Sequence, residues 1–215
     1  MPEEIEGEIK ARVIEIRFAL SGKISNVSKH TGDNVKKQDL LASLDRKILQ
    51  TELDQQLADY EKVRADWDGF TKKYPDPQDD NKYTKAEKQA ALNASVKQVE
   101  LSKAKLDQVN LFSPVDGIVF DDNGIVPGLY ITPASGSVKI IDTGSYFFEF
   151  EIIQKEVFNF MESKKCKIKI DGMKGEIESE TSPVFSDGKK FIVKANIPSP
   201  KDILVGMKGK ITIYN

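Results

Sequence analysis

Three aspartates, Asp116, Asp121 and Asp122, fall within seven positions of one another. Two carboxylates held close are the raw material of general acid and base chemistry, provided something keeps one of them protonated. These lie in a polar turn region with no neighbour that would raise a pKa, so the spacing carries no catalytic dyad. His30 is the single histidine and sits in a His-Thr-Gly-Asp-Asn turn, residues 30–34, with no cysteine nearby. It reads as an exposed turn residue, not as a metal ligand or base. Cys166 is the single cysteine, which excludes an internal disulfide framework. With no histidine partner near it, it reads as a core or edge residue. The chain has no phosphate loop, no Gly-x-Ser-x-Gly, no paired histidines and no cysteine cluster. Its four methionines are dispersed, which speaks against metal handling. The expectation is a chain with no catalytic, cofactor or metal site.

Bulk properties narrow the classes further. At 215 residues with 39% hydrophobic and 31% charged side chains, the chain can bury a core in one large domain or two to three small ones. The net charge of −2 gives no basic field, so no nucleic acid partner is expected. No apolar run approaches the roughly 20 residues that span a bilayer. Residues 1–10, MPEEIEGEIK, are acidic and lack an apolar signal core. That fits either a cytosolic protein or a chain without its export or anchor segment.

What must position these residues is an internal repeat. Gly22 to Asp45 and Gly117 to Asp142 each run from a glycine and a short β-branched strand to a second glycine, with an aliphatic residue three places on, and close on aliphatic-Asp. Gly22 aligns with Gly117, Gly32 with Gly128, Val35 with Ile131, and Leu44-Asp45 with Ile141-Asp142. Such a repeat is one supersecondary unit used twice, and the two copies are expected to close on each other. A strand over Glu6 to Phe18 is expected to lead into the first copy.

Between the copies the period changes. Leu49, Leu53, Leu57, Tyr60, Val63, Trp67, Phe70 and Tyr74 recur at spacings of three and four, one stripe of a helix from Arg46 to about Lys73. Asp45 is placed to cap its start, and Pro75 and Pro77 end it. After the polar segment Pro75 to Tyr83, Thr84 and Glu87 form a capping box for a second helix. Leu92, Val96, Val99, Leu106 and Val109 give that helix a narrow stripe, interrupted by Lys103, of the kind found in a coiled-coil seam. If the repeat copies close, two long helices between them can only form an antiparallel hairpin. Basic and acidic residues number twelve each from Arg46 to Asn110, a solvated mixed surface.

From Ser145 onward the pattern is a different domain. Tyr146, Phe148, Phe150 and Ile152 alternate with their neighbours as a half-buried strand. Glu156 to Glu162 suggests a short helix. Strands follow around Lys167 to Ile170, Gly175 to Ser179, Phe191 to Ile197 and Lys208 to Tyr214, with a hairpin at Ser186-Asp187-Gly188. Short strands with frequent glycine turns indicate a small antiparallel β-barrel.

Taken in order, the segment GKI…V…TGDNVKKQDLLASLD, a helical hairpin, LFSPVDGIV, Gly128 and a late LVGMKGKITI resemble the periplasmic adaptor, or membrane fusion protein, family of bacterial efflux pumps and type I secretion systems. The resemblance extends from about Val13 to Ile213. It implies a mixed α and β fold: a lipoyl-like barrel-sandwich hybrid (residues 12–45 and 111–143), interrupted by an antiparallel α-helical coiled-coil hairpin (46–110) and followed by a small antiparallel β-barrel (144–215). It implies a non-enzymatic adaptor bridging an inner-membrane transporter, of the resistance-nodulation-division (RND) or ABC type, to an outer-membrane channel. It further implies a homo-oligomer, commonly a hexamer, in the periplasm or cell envelope, held to the inner membrane by an N-terminal segment that this sequence does not contain. Many members also continue past the barrel into a further β domain. The partner-contact residues carried over to the hairpin tip are Tyr74, Asp76, Gln78, Asp79, Asp80 and Tyr83. The family's tips commonly carry an Arg, Leu, Ser pattern; here the tip is PDPQDD, and Arg64 comes too early. That departure leaves open an adaptor of a Gram-positive ABC exporter that uses no outer-membrane channel.

True lipoyl and biotinyl carrier domains share the half-motif, so a swinging-arm carrier is the rival of a different class. A carrier needs a lysine at the turn joining its halves, and some 65 residues of helix occupy that place here. The Met-Lys pairs at 173–174 and 207–208 each precede a glycine and lie in the other domain.

Overall fold

The computed structural model describes residues 4–75, 79–198 and 202–214. The strands are β1 (Glu4–Lys10), β2 (Val13–Arg17), β3 (Gly22–Val27), β4 (Asn34–Val35) and β5 (Leu40–Leu44) before the helices. Helices α1 (Lys47–Lys73) and α2 (Asp79–Asp107) follow, and then β6 (Asn110–Phe112), β7 (Gly117–Asp121), β8 (Tyr130–Ile131) and β9 (Ser137–Asp142). The last third holds β10 (Phe147–Ile152), a 3-10 helix (Gln154–Phe160), β11 (Lys165–Ile170), β12 (Ile177–Glu180), β13 (Phe185–Ser186), β14 (Phe191–Asn196) and β15 (Lys208–Ile213).

The repeat copies do close on each other, by exchanging strands. One four-stranded sheet has the order β2-β9-β7-β4 and the other β6-β5-β3-β8. Mapping β2 to β6, β3 to β7, β4 to β8 and β5 to β9 turns one order into the other. The short middle strand of each copy pairs with the other copy: Gly22 faces Ile131, and Gly117 faces Val35. Both copies carry a register shift at the same place, between Ile24 and Asn26 and between Val119 and Asp121. Ile24 pairs with Leu44 and Val119 with Ile140, so the structural counterpart of Leu44 is Ile140. The sequence alignment to Ile141 is one residue late, because it is anchored on Asp45 and Asp142, and Ile140 stands two residues before its aspartate where Leu44 stands one. Phe18, Ile24, Leu41, Leu44, Val119, Ile131 and Ile140 of both sheets form one buried core.

Asp45 and Asp142 end the two copies with the same turn. The Asp45 side chain accepts the Lys47 N–H and the Asp142 side chain the Gly144 N–H, each at 2.9 Å. Arg46, with helical dihedrals, is therefore the residue that precedes the first turn of α1, and Asp45 caps it from one position earlier than expected. Tyr74 ends α1 with ψ near 74°, out of the helical region as the residue before a proline must be.

The helices run antiparallel side by side. Lys105 pairs with Glu52 at 2.8 Å and Lys88 with Asp66, so positions far apart in sequence meet in reverse order. On α1 Leu49, Leu53, Gln56, Tyr60, Val63, Trp67, Phe70 and Tyr74 form a less exposed row of four-three spacing, flanked by half-buried Gln50, Glu52 and Thr71; Leu57 points out. On α2 the matching row is Lys88, Leu92, Ser95, Val99, Ser102 and Leu106. Ser102 is buried and Lys103 exposed, so the stripe is not interrupted; it passes through small polar residues opposite the large apolar ones of α1. Helix α2 starts at Asp79, and Thr84 and Glu87 lie inside it instead of capping it. Once the seam fixes the neighbouring turns, extending a helix by one residue costs little, and this overrides the local cap signal.

The remaining strands form a seven-stranded antiparallel sheet, β12-β11-β15-β1-β10-β14-β13. It curls until β12 approaches β14: Thr181 bridges to Ala195, and the Ser179 hydroxyl donates to the Asn196 carbonyl. Inside lie Ile9, Phe148, Phe150, Phe160, Ile168, Val193 and Ile211. Residues Glu6 to Phe18 are thus two strands, not one. β1 sits between β15 and β10, where Gly7 is needed: a Cβ there would stand 2.5 Å from the Glu149 carbonyl oxygen. The short helix expected over 156–162 is the 3-10 helix, begun two residues earlier.

Candidate functional site

The tip of the helix pair is built on aromatic stacking. Phe70 is buried against α2, and the Tyr74 ring lies 5.2 Å from it at a tilt. Lys88 reaches across from α2 to within 5.8 Å of the Phe70 ring while pairing with Asp66, and Lys73 lies 5.3 Å over Tyr74. Tyr83, one turn into α2, is 83% exposed. Asp79 and Asp80 open α2. Asp76 and Gln78 lie outside the described residues. Of the six tip residues, then, Tyr74 is half-buried and structural, and Tyr83 is exposed.

The acid-base candidates are spread over separate structural tasks. Asp116 accepts the Lys37 N–H at 2.7 Å. Asp121 is paired with Lys139 at 3.0 Å, and that bond, with the Asn123 N–H, holds its carboxyl below the usual range. Burial pushes Asp122 up, but the N–H groups of Gly124 and Thr31 and the His30 ring at 3.4 Å outweigh it and leave the carboxyl lowered. His30 and Thr31 come from copy one and Asp122 from copy two, so this contact ties the repeat together. Cys166 is buried, and burial, against a bond to Ser179, pushes its thiol up to about 11, which keeps it protonated and unreactive at neutral pH. The open hollow of about 520 Å³ beside it mixes Lys165, Lys167, Glu178, Glu180 and Tyr214, with no set of polar groups converging on one point. Among the described residues, no group of three or more His, Cys, Asp or Glu is arranged to hold a metal ion.

An exposed apolar cluster lies elsewhere on the molecule. Ile153 (62% exposed), Phe158 (84%) and Met161 (59%) project from the 3-10 helix and its flanks. Clustered exposed apolar side chains of this size mark interaction surfaces. The available signal is Phe158-Asn159-Phe160: on so tight a helix, rings two positions apart cannot both face the core, and Phe160 takes the buried place. The knuckle lies at the end of the curled sheet where β10 finishes and β1 and β15 meet at Glu4 and Thr212.

No protein-family profile matches the chain, and no curated protein sequence does. Solved structures do. A MacA-MexA chimera carrying the Pseudomonas aeruginosa MexA α-hairpin domain superimposes with a TM-score of 0.84 at 19% identity, over 98% of this chain and 80% of that one. The membrane fusion protein Spr0693 from Streptococcus pneumoniae R6 gives 0.80 at 13% identity, over 99% and 98% of the two chains. The chain has the membrane fusion protein fold. The periplasmic adaptor protein EmrA superimposes with a TM-score of 0.54 at 15% identity, over 98% of each chain. In this fold the exposed Tyr83 and the Phe158 knuckle belong to the helix pair and to the curled sheet respectively. Among the described residues, no helix is long and apolar enough to cross a membrane.

Proposed function

We propose that the protein is a non-enzymatic adaptor subunit of a membrane export complex. The observation that carries this reading is the use of the repeat body's two equivalent exits. After Asp45 the chain runs out into the helix pair, and after Asp142 it passes into the curled sheet. A body that holds two unlike extensions and no converging polar site is built to link partners. In this reading the repeat body is a lipoyl-like barrel-sandwich hybrid, the helix pair a coiled-coil hairpin of heptad spacing, and the curled sheet a β-barrel; the domain limits are 12–45 with 111–143, 46–110 and 144–215. The knuckle of Ile153, Phe158 and Met161 docks on an inner-membrane transporter of RND or ABC type. The tip, through Tyr83 with Tyr74, Asp76, Gln78, Asp79 and Asp80, meets an outer-membrane channel, and copies assemble as a homo-oligomeric ring, a hexamer, in the cell envelope.

Photo-crosslinking from positions 158 and 83 in the native host tests this. The expected result is a transporter captured from position 158 and an outer-membrane protein from position 83. The PDPQDD tip sequence favours a second reading, an exporter adaptor without such a channel; a transporter adduct from 158 with none from 83 selects it. Absence of any integral membrane protein at 158 overturns both.

A further inference from the structure

The strands that join the repeat body to the curled sheet form one antiparallel ribbon, β1-β2 against β9-β10, but its ladder is broken at the junction. Lys10 faces Phe147 and Val13 faces Ile141. Two residues, Ala11 and Arg12, therefore span the gap that five, Asp142 to Tyr146, span on the other strand. On the repeat-body side the Asp142 N–H donates to the Arg12 carbonyl at 2.9 Å. On the other side the Arg12 N–H finds no ladder carbonyl; it donates to the Ser145 hydroxyl oxygen at 2.8 Å, and that hydroxyl donates to the Asp142 carbonyl at 3.0 Å. A side-chain hydroxyl thus stands in for a backbone rung.

We propose that this junction is a hinge and that the Ser145 hydroxyl is its latch. A backbone carbonyl leaves a ladder only when the strand moves, whereas a hydroxyl leaves by rotation about one side-chain bond. Arg12 is exposed and Ser145 only partly covered, so water replaces the lost partner and release costs little. Gly144, exposed between them, adds backbone freedom where the extra residues must rearrange. Thr143 anchors the other edge: its N–H and hydroxyl both donate to the Asp116 carbonyl, at 3.2 and 3.1 Å, which keeps the pivot on the repeat body when the latch opens. The inference concerns the chain's own joint and holds whichever partners bind its ends.

The test uses the whole chain with spin labels at Lys36→Cys in the repeat body and Lys189→Cys in the curled sheet; buried Cys166 stays unlabelled. Ser145→Ala is expected to widen the label-to-label distance distribution about twofold and to speed hydrogen exchange at the Arg12 amide about tenfold. Ser145→Thr, which keeps the hydroxyl, is expected to restore both. An unchanged distribution in Ser145→Ala overturns the proposal, and so does equal widening in Ser145→Thr. Loss of the folded circular dichroism spectrum in Ser145→Ala also overturns it, since the hydroxyl would then hold the fold together instead of gating a joint.

Discussion

The Gly32 N–H donates to the Val119 carbonyl at 2.8 Å, and the mirror contact, Gly128 N–H to the Ile24 carbonyl, has the same length. Each bond carries the turn of one repeat copy onto the central strand of the other. Both glycines hold positive φ, +95° and +93°, where a Cβ meets the backbone unfavourably. Gly32→Ala and Gly128→Ala are expected to cost about 1 kcal/mol each, and nearly equally, because the two sites are equivalent. Urea unfolding of both variants checks this; a large difference between them would show that the symmetry of the bonds is not a symmetry of energies.

Gly117 is constrained differently. A Cβ there would fall 2.2 Å from the Ile141 carbonyl oxygen and 2.7 Å from the Ile140 side chain. Gly117→Ala must push two paired strands apart, at an expected cost of roughly 2–4 kcal/mol. The same urea series reads it, and a cost no larger than that of Gly32→Ala would contradict the contact.

Phe70 and Tyr83 separate stability from contact at the tip. Phe70→Ala removes a buried ring near the end of the seam and is expected to cost about 2–3 kcal/mol, with loss of helical circular dichroism at lower temperature. Tyr83→Ala, at an exposed site, is expected to stay within about 0.5 kcal/mol of the parent. If both change melting alike, the tip is not organised as described.

The Cys166 thiol has its pKa raised above its unfolded value, so the folded state holds the proton more tightly. Stability from this group is flat below about pH 8.5 and falls as pH rises from there towards about 11. Cys166→Ala is expected to remove that alkaline slope. In the native protein at pH 7.5 maleimide should leave the thiol unmodified, and in urea it should react fully.

Asp122 has the opposite sign. Its carboxyl is lowered in the folded state, so its contribution is present above the ordinary carboxylate value of 3.8 and is lost as pH falls through that value and below. Asp122→Asn is expected to flatten the acid limb of the stability profile by lowering stability at neutral pH while leaving it little changed at acid pH, which thermal melts at stepped pH can measure.

The repeat was readable because glycines and aliphatic residues recur at matching places, and those residues are the ones the strand exchange needs. Its last register differs by one residue because the aliphatic-Asp ending matches Leu44 to Ile141, whereas strand pairing matches Leu44 to Ile140. β1 was hidden for another reason: its partners, β10 and β15, lie some 140 and 200 residues away, and alternation over Glu6 to Phe18 does not say that a strand changes sheets midway. At the tip, the Thr84–Glu87 cap signal was genuine local chemistry overruled by a seam that continues past it. The exposed Phe158 went unnoticed because an apolar residue in sequence looks like core until the fold gives the inside place to Phe160.

The four-three spacing of the seam has a consequence for how such proteins diverge. Because every seventh residue occupies an equivalent place, inserting seven residues into each helix at matching heights would preserve all the packing below and above the insertion. Each such pair of insertions would lengthen the helix pair by about 10 Å. Span is thereby a modular quantity, adjustable in whole repeats, with the strand-exchanged body at its base left untouched.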